Sequence, residues 1–504
     1  MDNSIAPKAT RKEWIGLIII ALPCIVYAMD LTVLNLAIPH ISADLKPKSS
    51  ELLWIIDIYG FMVAGMLITM GTLGDKIGRR KLLMIGAAFF AITSILAAFS
   101  TSAVMLIAAR ALLGLAGATV APSTLSLIRN MFPDEKQRTF AIGVWITGYS
   151  VGGAIGPLVG GTLLDHYSWQ SVFLVSVPVM VLLLITAPFL LPEYKDPDAG
   201  KLDLLSAGQS IIAILSIIFG LKKIAEDGPT LQAGTSILIG IIFTFIFIRR
   251  QNKLASPLID LRLFRIPTFS VSLLAYMTGA FVSFGGTVFL AQYLQLVLGL
   301  SPLKAGLWML PWTIGFIIGS LLTPLIIRFM KPVRVMTIGF VLAAIGYAIL
   351  LQLEYLPPLM AIVIGSVITS ISMAPIFTLT TDFILNSAPP EKTGAASAIS
   401  ETSAEMGGAL GVAILGSIGT AIYRLKLANE LPASIPGSVV DAAEDTLGAA
   451  LIEATNLKAG GEALMMIAKE SFTDALQFIL LISAILSAIL AFIIYIKLGR
   501  AKSL

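Results

Sequence analysis

Five ionisable residues stand inside long apolar runs. Glu401 and Glu405 lie in ISETSAEMGGALG (399–411), Asp30 in MDLTVLNLAIPHI (29–41), Asp57 in LLWIIDIYGF (52–61) and Arg110 in LIAARALLGLAGA (106–118). An ionisable group within hydrocarbon is costly and marks an ion or substrate path by default. Glu401 and Glu405 are spaced so that a helix stacks them on one face, about a turn apart. A carboxylate in such surroundings can hold either a proton or a cation. A guanidinium near the midplane normally pairs with an acid or with carbonyls. The structural alternative for Glu401 and Glu405 is a pair that merely bonds Ser or Thr neighbours.

The elements that must position these groups are membrane helices. Of the 504 residues 57% are hydrophobic and only 13% charged, about half the charged share of a soluble domain. Apolar runs recur throughout, and WIGLIIIALPCIVYAMDLTVLNLAI (14–38) exceeds the ~20 residues that cross hydrocarbon as a helix. No small-residue cleavage pattern follows this run, so it reads as a retained span. Fourteen spans are expected, near 14–38, 51–72, 82–100, 104–128, 139–163, 169–191, 203–221, 233–250, 268–298, 303–327, 334–353, 359–384, 394–422 and 474–497. With the N-terminus in the cytoplasm, most of the 34 Lys and Arg residues fall on the cytoplasmic side, which fits both termini there. The acid-rich segment 424–473 is then external, with amphipathic helical stretches such as SVVDAAEDTLGAALIEAT. It reads as a solvated cap over the outer mouth or, alternatively, as an antechamber that attracts cations.

The chain also repeats itself. APSTLSLIRNMFPDEKQRTFAIGVWITGYSVGGAIGPLVGG (121–161) parallels APIFTLTTDFILNSAPPEKTGAASAISETSAEMGGALGVAILG (374–416). Each runs from Ala-Pro through a Pro-x-Glu-Lys turn into a helix with a Gly-Gly pair. Duplicated halves that rock about a midplane site are the signature of secondary transporters. The expected fold is therefore an all-α membrane protein of two six-helix bundles, 1–192 and 263–504, with an inserted helix pair in 193–262. In this alignment Ser150 faces Glu405 and Ile146 faces Glu401, so the two acids are additions in the second copy.

Three motifs sharpen the picture. GTLGDKIGRRK (71–81) places Gly74, Asp75, Gly78 and Arg79 in a tight turn, where Asp75 can accept from the N-terminus of the next helix. GGAIGPLVGGTL (152–163) sets Gly152, Gly156, Gly160 and Gly161 on a helix that Pro157 kinks, allowing close helix contact. The third is Arg110 within its apolar span. Together with SPLKAGLWMLP (301–311), WQSVFLVSVPV (169–179) and the fourteen-span layout, these resemble the fourteen-helix drug:proton antiporter branch of the major facilitator superfamily, and within it the QacA and SmvA group. The resemblance covers essentially the whole chain. The rival readings are a topogenic basic anchor for the loop and generic small-residue packing for the glycines.

The resemblance implies export of lipophilic cations, such as quaternary ammonium antiseptics and cationic dyes, driven by inward proton flow and needing no cofactor. It implies a functional monomer in a bacterial inner membrane. The 71–81 loop would latch the outward-open state, Arg110 would tune a protonatable carboxylate, and 152–163 would be the antiporter motif. Asp30, Asp57, Glu401 and Glu405 would bind proton and cation, and Tyr27, Trp54, Tyr59, Phe281, Trp308 and Trp312 are candidates for an aromatic lining. The tenth span reads LPWTIGF, with Phe316 where relatives can carry another acid, and Asp382 near the cytoplasmic end of the twelfth span reads as a gate or cap residue. Other classes fit less well. His40 and His166 make no metal cluster, no P-loop appears, and no basic patch suits nucleic acid. The single cysteine, Cys24, excludes an internal disulfide. A metabolite exporter, or a membrane sensor or scaffold, are the remaining alternatives.

Overall fold

A computed structural model describes residues 8–47, 49–195, 203–228, 230–254, 257–353, 356–389, 392–432, 435–457 and 460–499. Among them fourteen helices are long and apolar enough to cross a membrane. The first half comprises α1 (Arg11–Leu45), α2 (Ser49–Ile77), α3 (Arg79–Ala98), α4 (Ala103–Met131), α5 (Glu135–His166) and α6 (Ser171–Leu190). Two further helices follow, α7 (Leu204–Asp227) and α8 (Leu231–Gln251). The second half holds α9 (Pro267–Val297), α10 (Pro302–Ile326), α11 (Pro332–Leu350), α12 (Pro358–Ser387), α13 (Thr393–Glu430) and α14 (Gly461–Lys497).

The ends of these helices follow local chemistry. Asp134 accepts from the Gln137 N–H at the start of α5, Ser102 from Met105 on α4, and Asp203 from Leu205 and Ser206 on α7, each satisfying a donor that the first turn leaves unpaired. Proline opens α9, α11 and α12, where its missing N–H costs nothing. α4 breaks at Ala118 and Thr119, and the break seats Thr119 against Gly86 of α3, where no side chain would fit. The last five residues of α9, Tyr293–Val297, wind as a π-helix.

Two differences from the expected spans stand out. α13 continues to Glu430 and α14 begins at Gly461, so the segment 424–473 is largely helical. Between the two lie short helices, Gly437–Asp445 and Leu447–Asn456. Tyr423 Oη donates to the Ala443 carbonyl (2.9 Å) and Arg424 Nε to the Glu444 carbonyl (3.0 Å), which seats this cap on the end of α13. The residues here are too polar to read as membrane spans by hydropathy, but the amphipathic stretches do form helices, with Leu447, Ala450, Ala454, Leu464 and Ala468 buried at helical spacing.

The halves meet along α2 with α13, α4 with α13, α5 with α10 and α5 with α12. α7 lies along the α2–α13 seam and α8 packs on α7. Gly65 makes room for Leu215 of α7, and Trp54 stacks on Phe219 of α7 at 6.4 Å.

Candidate functional site

The two glutamates of α13 face tyrosines from both halves. Tyr276 Oη on α9 donates to Glu401 Oε1 (3.2 Å), and Tyr27 Oη on α1 donates to Glu405 Oε1 (3.5 Å). Glu401 is half-buried and Glu405 exposed. A carboxylate that touches a buried tyrosine of the opposite half faces the space between the halves, not lipid. Around Tyr27 stand Tyr59 (5.9 Å between ring centres) and Tyr149 (5.5 Å), and Trp145 adjoins Tyr149 at 4.8 Å. On the other side a chain of rings leads away from Glu401: Tyr276 meets Phe377 (5.1 Å), Phe377 meets Phe316 (5.7 Å), and Phe316 stacks on Trp312 (5.1 Å). Aromatic faces flanking carboxylates make surroundings in which an organic cation is attracted by both charge and ring quadrupole.

The first half holds its acid differently. Asp30 and Arg110 are both buried, with Arg110 Nη1 3.2 Å from Asp30 Oδ2. Arg110 Nε also donates to the Ile55 carbonyl (2.7 Å), and the guanidinium lies over the Tyr59 ring at 5.2 Å. This meets the requirement that a buried charge be paired and hydrogen-bonded. Asp57 lies on α2, but its side chain falls outside the described residues, as does that of Pro157.

One end of the molecule is closed across the halves. Asp75 accepts from Arg79 Nε (3.1 Å) and Nη2 (2.9 Å), and also from the Gly394 and Ala395 N–H groups (3.0 and 3.1 Å) in the first turn of α13. The carboxylate thus sits at the positive end of a helix dipole that belongs to the other half. The expectation that Asp75 serves the next helix is corrected here. The start of α3 is served instead by Glu193, which accepts from the Arg80 and Lys81 N–H groups (3.1 Å each). Gly78, at φ +110°, lets Glu193 approach, since a Cβ there would lie 2.6 Å from its Oε1. Gly74 leaves room for Leu82.

A second cross-half cluster closes the same end. Arg138 Nε pairs with Asp382 Oδ1 (2.8 Å), and Thr139 Oγ1 donates to Asp382 Oδ2 (3.4 Å). Arg129 Nη1 donates to the Ala388 carbonyl and to Thr393 Oγ1, both at 2.9 Å. Asp382 therefore ties α12 to α5 at this end, and Arg129 and Arg138 were not singled out by the sequence. The internal repeat carried the signal, because it sets Arg129 opposite Asp382. Each closes the end of its own half onto the opposite one.

The glycines of 152–163 divide by face. Gly152 lies on the Ile25 carbonyl of α1, Gly156 on Thr32 and the Met29 carbonyl, and Gly160 on Val33, while Gly161 has open space around it. The stripe thus fixes α5 against the helix that bears Tyr27 and Asp30. Of the proposed aromatic lining, Tyr27 and Tyr59 join the central cluster, and Trp312 reaches it through Phe316. Trp54 instead faces α7, and Trp308 and Phe281 pack half-buried against the core. Tyr149, Tyr276 and Phe377 were not singled out by sequence, since nothing in their local strings shows which helix face meets the acids.

Residues 20–412 match the Major Facilitator Superfamily. The chain belongs to that superfamily. Among its curated relatives, the multidrug efflux pump LfrA of Mycolicibacterium smegmatis is 41% identical over 456 residues, covering 90% of each chain. The methyl viologen resistance protein SmvA of Salmonella typhimurium is 36% identical over 474 residues, 92% of this chain and 93% of that one. The tetracenomycin C resistance and export protein of Streptomyces glaucescens is 32% identical over 80% of this chain and 76% of its own. Among solved structures, a bacterial homologue of the human lysosomal transporter Spinster, inward-facing and unoccupied, superposes with a TM-score of 0.58 at 18% identity over 98% of both chains. The fold is thus that of a multi-pass superfamily transporter. That relationship accounts for the two similar halves.

Proposed function

We propose that this transporter is a proton-coupled multidrug exporter of lipophilic cations, working by alternating access in a bacterial inner membrane with both termini cytoplasmic. The observation that carries this reading is the pair Glu401 and Glu405, two carboxylates a turn apart on α13 flanked by tyrosines of both halves. Among the described residues, no lysine or arginine pairs with Glu401. A cation entering this space would gain charge and ring attraction together, and protonation of the same carboxylate would remove the charge that holds it. Exchange follows from that competition. The names of the relatives support drug export, and methyl viologen is itself an aromatic dication.

The two six-helix halves, 1–192 and 263–504, are taken as the rocking bodies, and 193–262 as an accessory pair. With the 71–81 loop cytoplasmic, the closed end faces the cytoplasm and the acids open outward. A proton entering from outside then reaches Glu401 and Glu405 as cargo leaves, and breakage of the Asp75 and Asp382 contacts lets the other state form. The Asp30–Arg110 pair holds α1 and α4 together beside the tyrosines and responds to the charge on Glu401 and Glu405.

Whole cells loaded with ethidium test this directly. Efflux should stop when an uncoupler collapses the proton gradient, and Glu401→Gln should lower the rate by at least about tenfold, the effect of one ion pair of ~1.4 kcal/mol or more. Efflux that survives the uncoupler sinks the coupling, and an unaffected Glu401→Gln variant removes the site. The relative named for tetracenomycin C export favours a second reading, export of one aromatic metabolite. Mutual competition among unrelated cations would exclude it.

A further inference from the structure

Towards the end of the molecule away from the Asp75 latch, a cavity of about 190 Å³ lies between α9, α13 and α14 under the short helix Leu447–Asn456. Its walls include Phe289, Phe472 and Tyr423, with Gly416 on one side and Thr446 and Leu447 above. Phe289 and Phe472 stack at 5.3 Å, and Tyr423 meets Phe472 at 6.3 Å. Among the described residues, no lysine, arginine, aspartate or glutamate lines it. Gln292 and Thr420 add polar groups to the wall. A cavity of ~150 Å³ takes up benzene, so by volume this one has room for a single aromatic ring.

Its position ties it to the glutamates. Glu401, Glu405, Val412, Gly416 and Tyr423 are separated by four, seven, four and seven residues, spacings that keep them on one face of a helix. Gly416 lies about 16 Å beyond Glu405 along α13 at 1.5 Å per residue. Gly416 contributes to the space directly, since a Cβ there would meet nothing within 4 Å.

We propose that this cavity is a second binding station, which takes the aromatic ring of a cationic substrate after it has left the glutamates. With no carboxylate among its described lining residues, it holds a ring by burial beside Phe289, Phe472 and Tyr423, and so binds cargo without retaining it. That the station serves exit rests on the export reading above; occupancy of the cavity by a ring does not.

The test uses the full chain carrying Gly416→Cys, purified and checked for monodispersity. Cys24, the native thiol, is fully buried, so the unsubstituted protein gives the background for maleimide labelling. Benzyltriethylammonium should slow labelling of the introduced thiol at about a tenfold lower concentration than tetraethylammonium, which carries a methyl group in place of the ring. The protection should persist when Glu401→Gln is added. Equal protection by the two cations, no protection by either, or protection lost with Glu401→Gln each overturns the proposal. Failure of the ethidium experiment would remove the export reading and leave this result standing.

Discussion

In the first half, Gly152 and Gly156 of α5 lie on the α1 backbone at Ile25 and Met29. In the second, Gly407 and Gly411 of α13 lie on the α9 carbonyls of Met277 and Phe281. These glycines occupy matching places in the repeat, so the duplicated helices pack in the same way. Their charges differ. Beside α5 the acid is Asp30, buried and tied to Arg110. On α13 the acids are Glu401 and Glu405, bonded to tyrosines. Helix packing is thus shared between the copies, while the chemistry sits at single positions where they diverge. A locked acid suits a structural or relay role, and acids facing the central space are the ones a cation can reach.

The largest effect that would sharpen this contrast is in stability. Arg110→Met leaves Asp30 buried without its partner, which should cost about 3–5 kcal/mol. The double variant Asp30→Asn, Arg110→Met should recover most of that loss. Glu401→Gln should change stability by less than ~1 kcal/mol, the scale of one exchanged neutral hydrogen bond. Thermal unfolding in detergent reads all three, and a Glu401→Gln loss as large as that of Arg110→Met would erase the distinction.

A smaller effect tests the shared packing. Gly152→Val and Gly407→Val should each cost about 1–3 kcal/mol, since both force carbon against a backbone carbonyl. Gly153→Ala, with open space around it, should be near neutral on the same assay. A loss at only one of the two packed glycines would show that the copies do not use the stripe alike.

The smallest effect concerns the inserted pair. At its base Arg250 pairs with Asp203, Nε to Oδ2 at 2.8 Å and Nη2 to Oδ1 at 3.0 Å. Hydrogen bonds from Arg250 chiefly, with those from Ser206, hold Asp203 at about 2, below the usual carboxylate range. A depressed folded value means the stabilisation is complete above the unfolded value near 3.9 and fades as pH falls towards 2. The pair is partly exposed, so Asp203→Asn should cost under ~1 kcal/mol at neutral pH. Hydrogen exchange at the start of α7 should show the variant opening faster at pH 6, with the difference shrinking between about pH 4 and pH 2.

The helices were legible because each is an apolar run of sufficient length, and the repeat was legible as a string. The boundaries failed at Glu430 and Gly461, where α13 and α14 run past the hydrocarbon into a cap whose buried faces are built from Ala and Leu among acids. The acids were legible as anomalies within apolar runs, and so was Arg110. Tyr276, the partner of Glu401, and Tyr149, the neighbour of Tyr27, were not, because they are ordinary residues until two helices are brought together. Trp54 misled for the same reason, since the face it occupies belongs to α7. Asp75 accepts from α13, over three hundred residues away in sequence, a distance no local pattern spans.

At the seam that Asp75 closes, a Cβ on Gly71 would lie 2.5 Å from the Gly394 carbonyl and 2.6 Å from the Ala398 Cβ. Two backbones this close leave no file of water between them. The consequence is insulation. A membrane that holds a voltage tolerates a transporter only if its resting state conducts nothing, and here that seal depends on side chains too small to keep the helices apart.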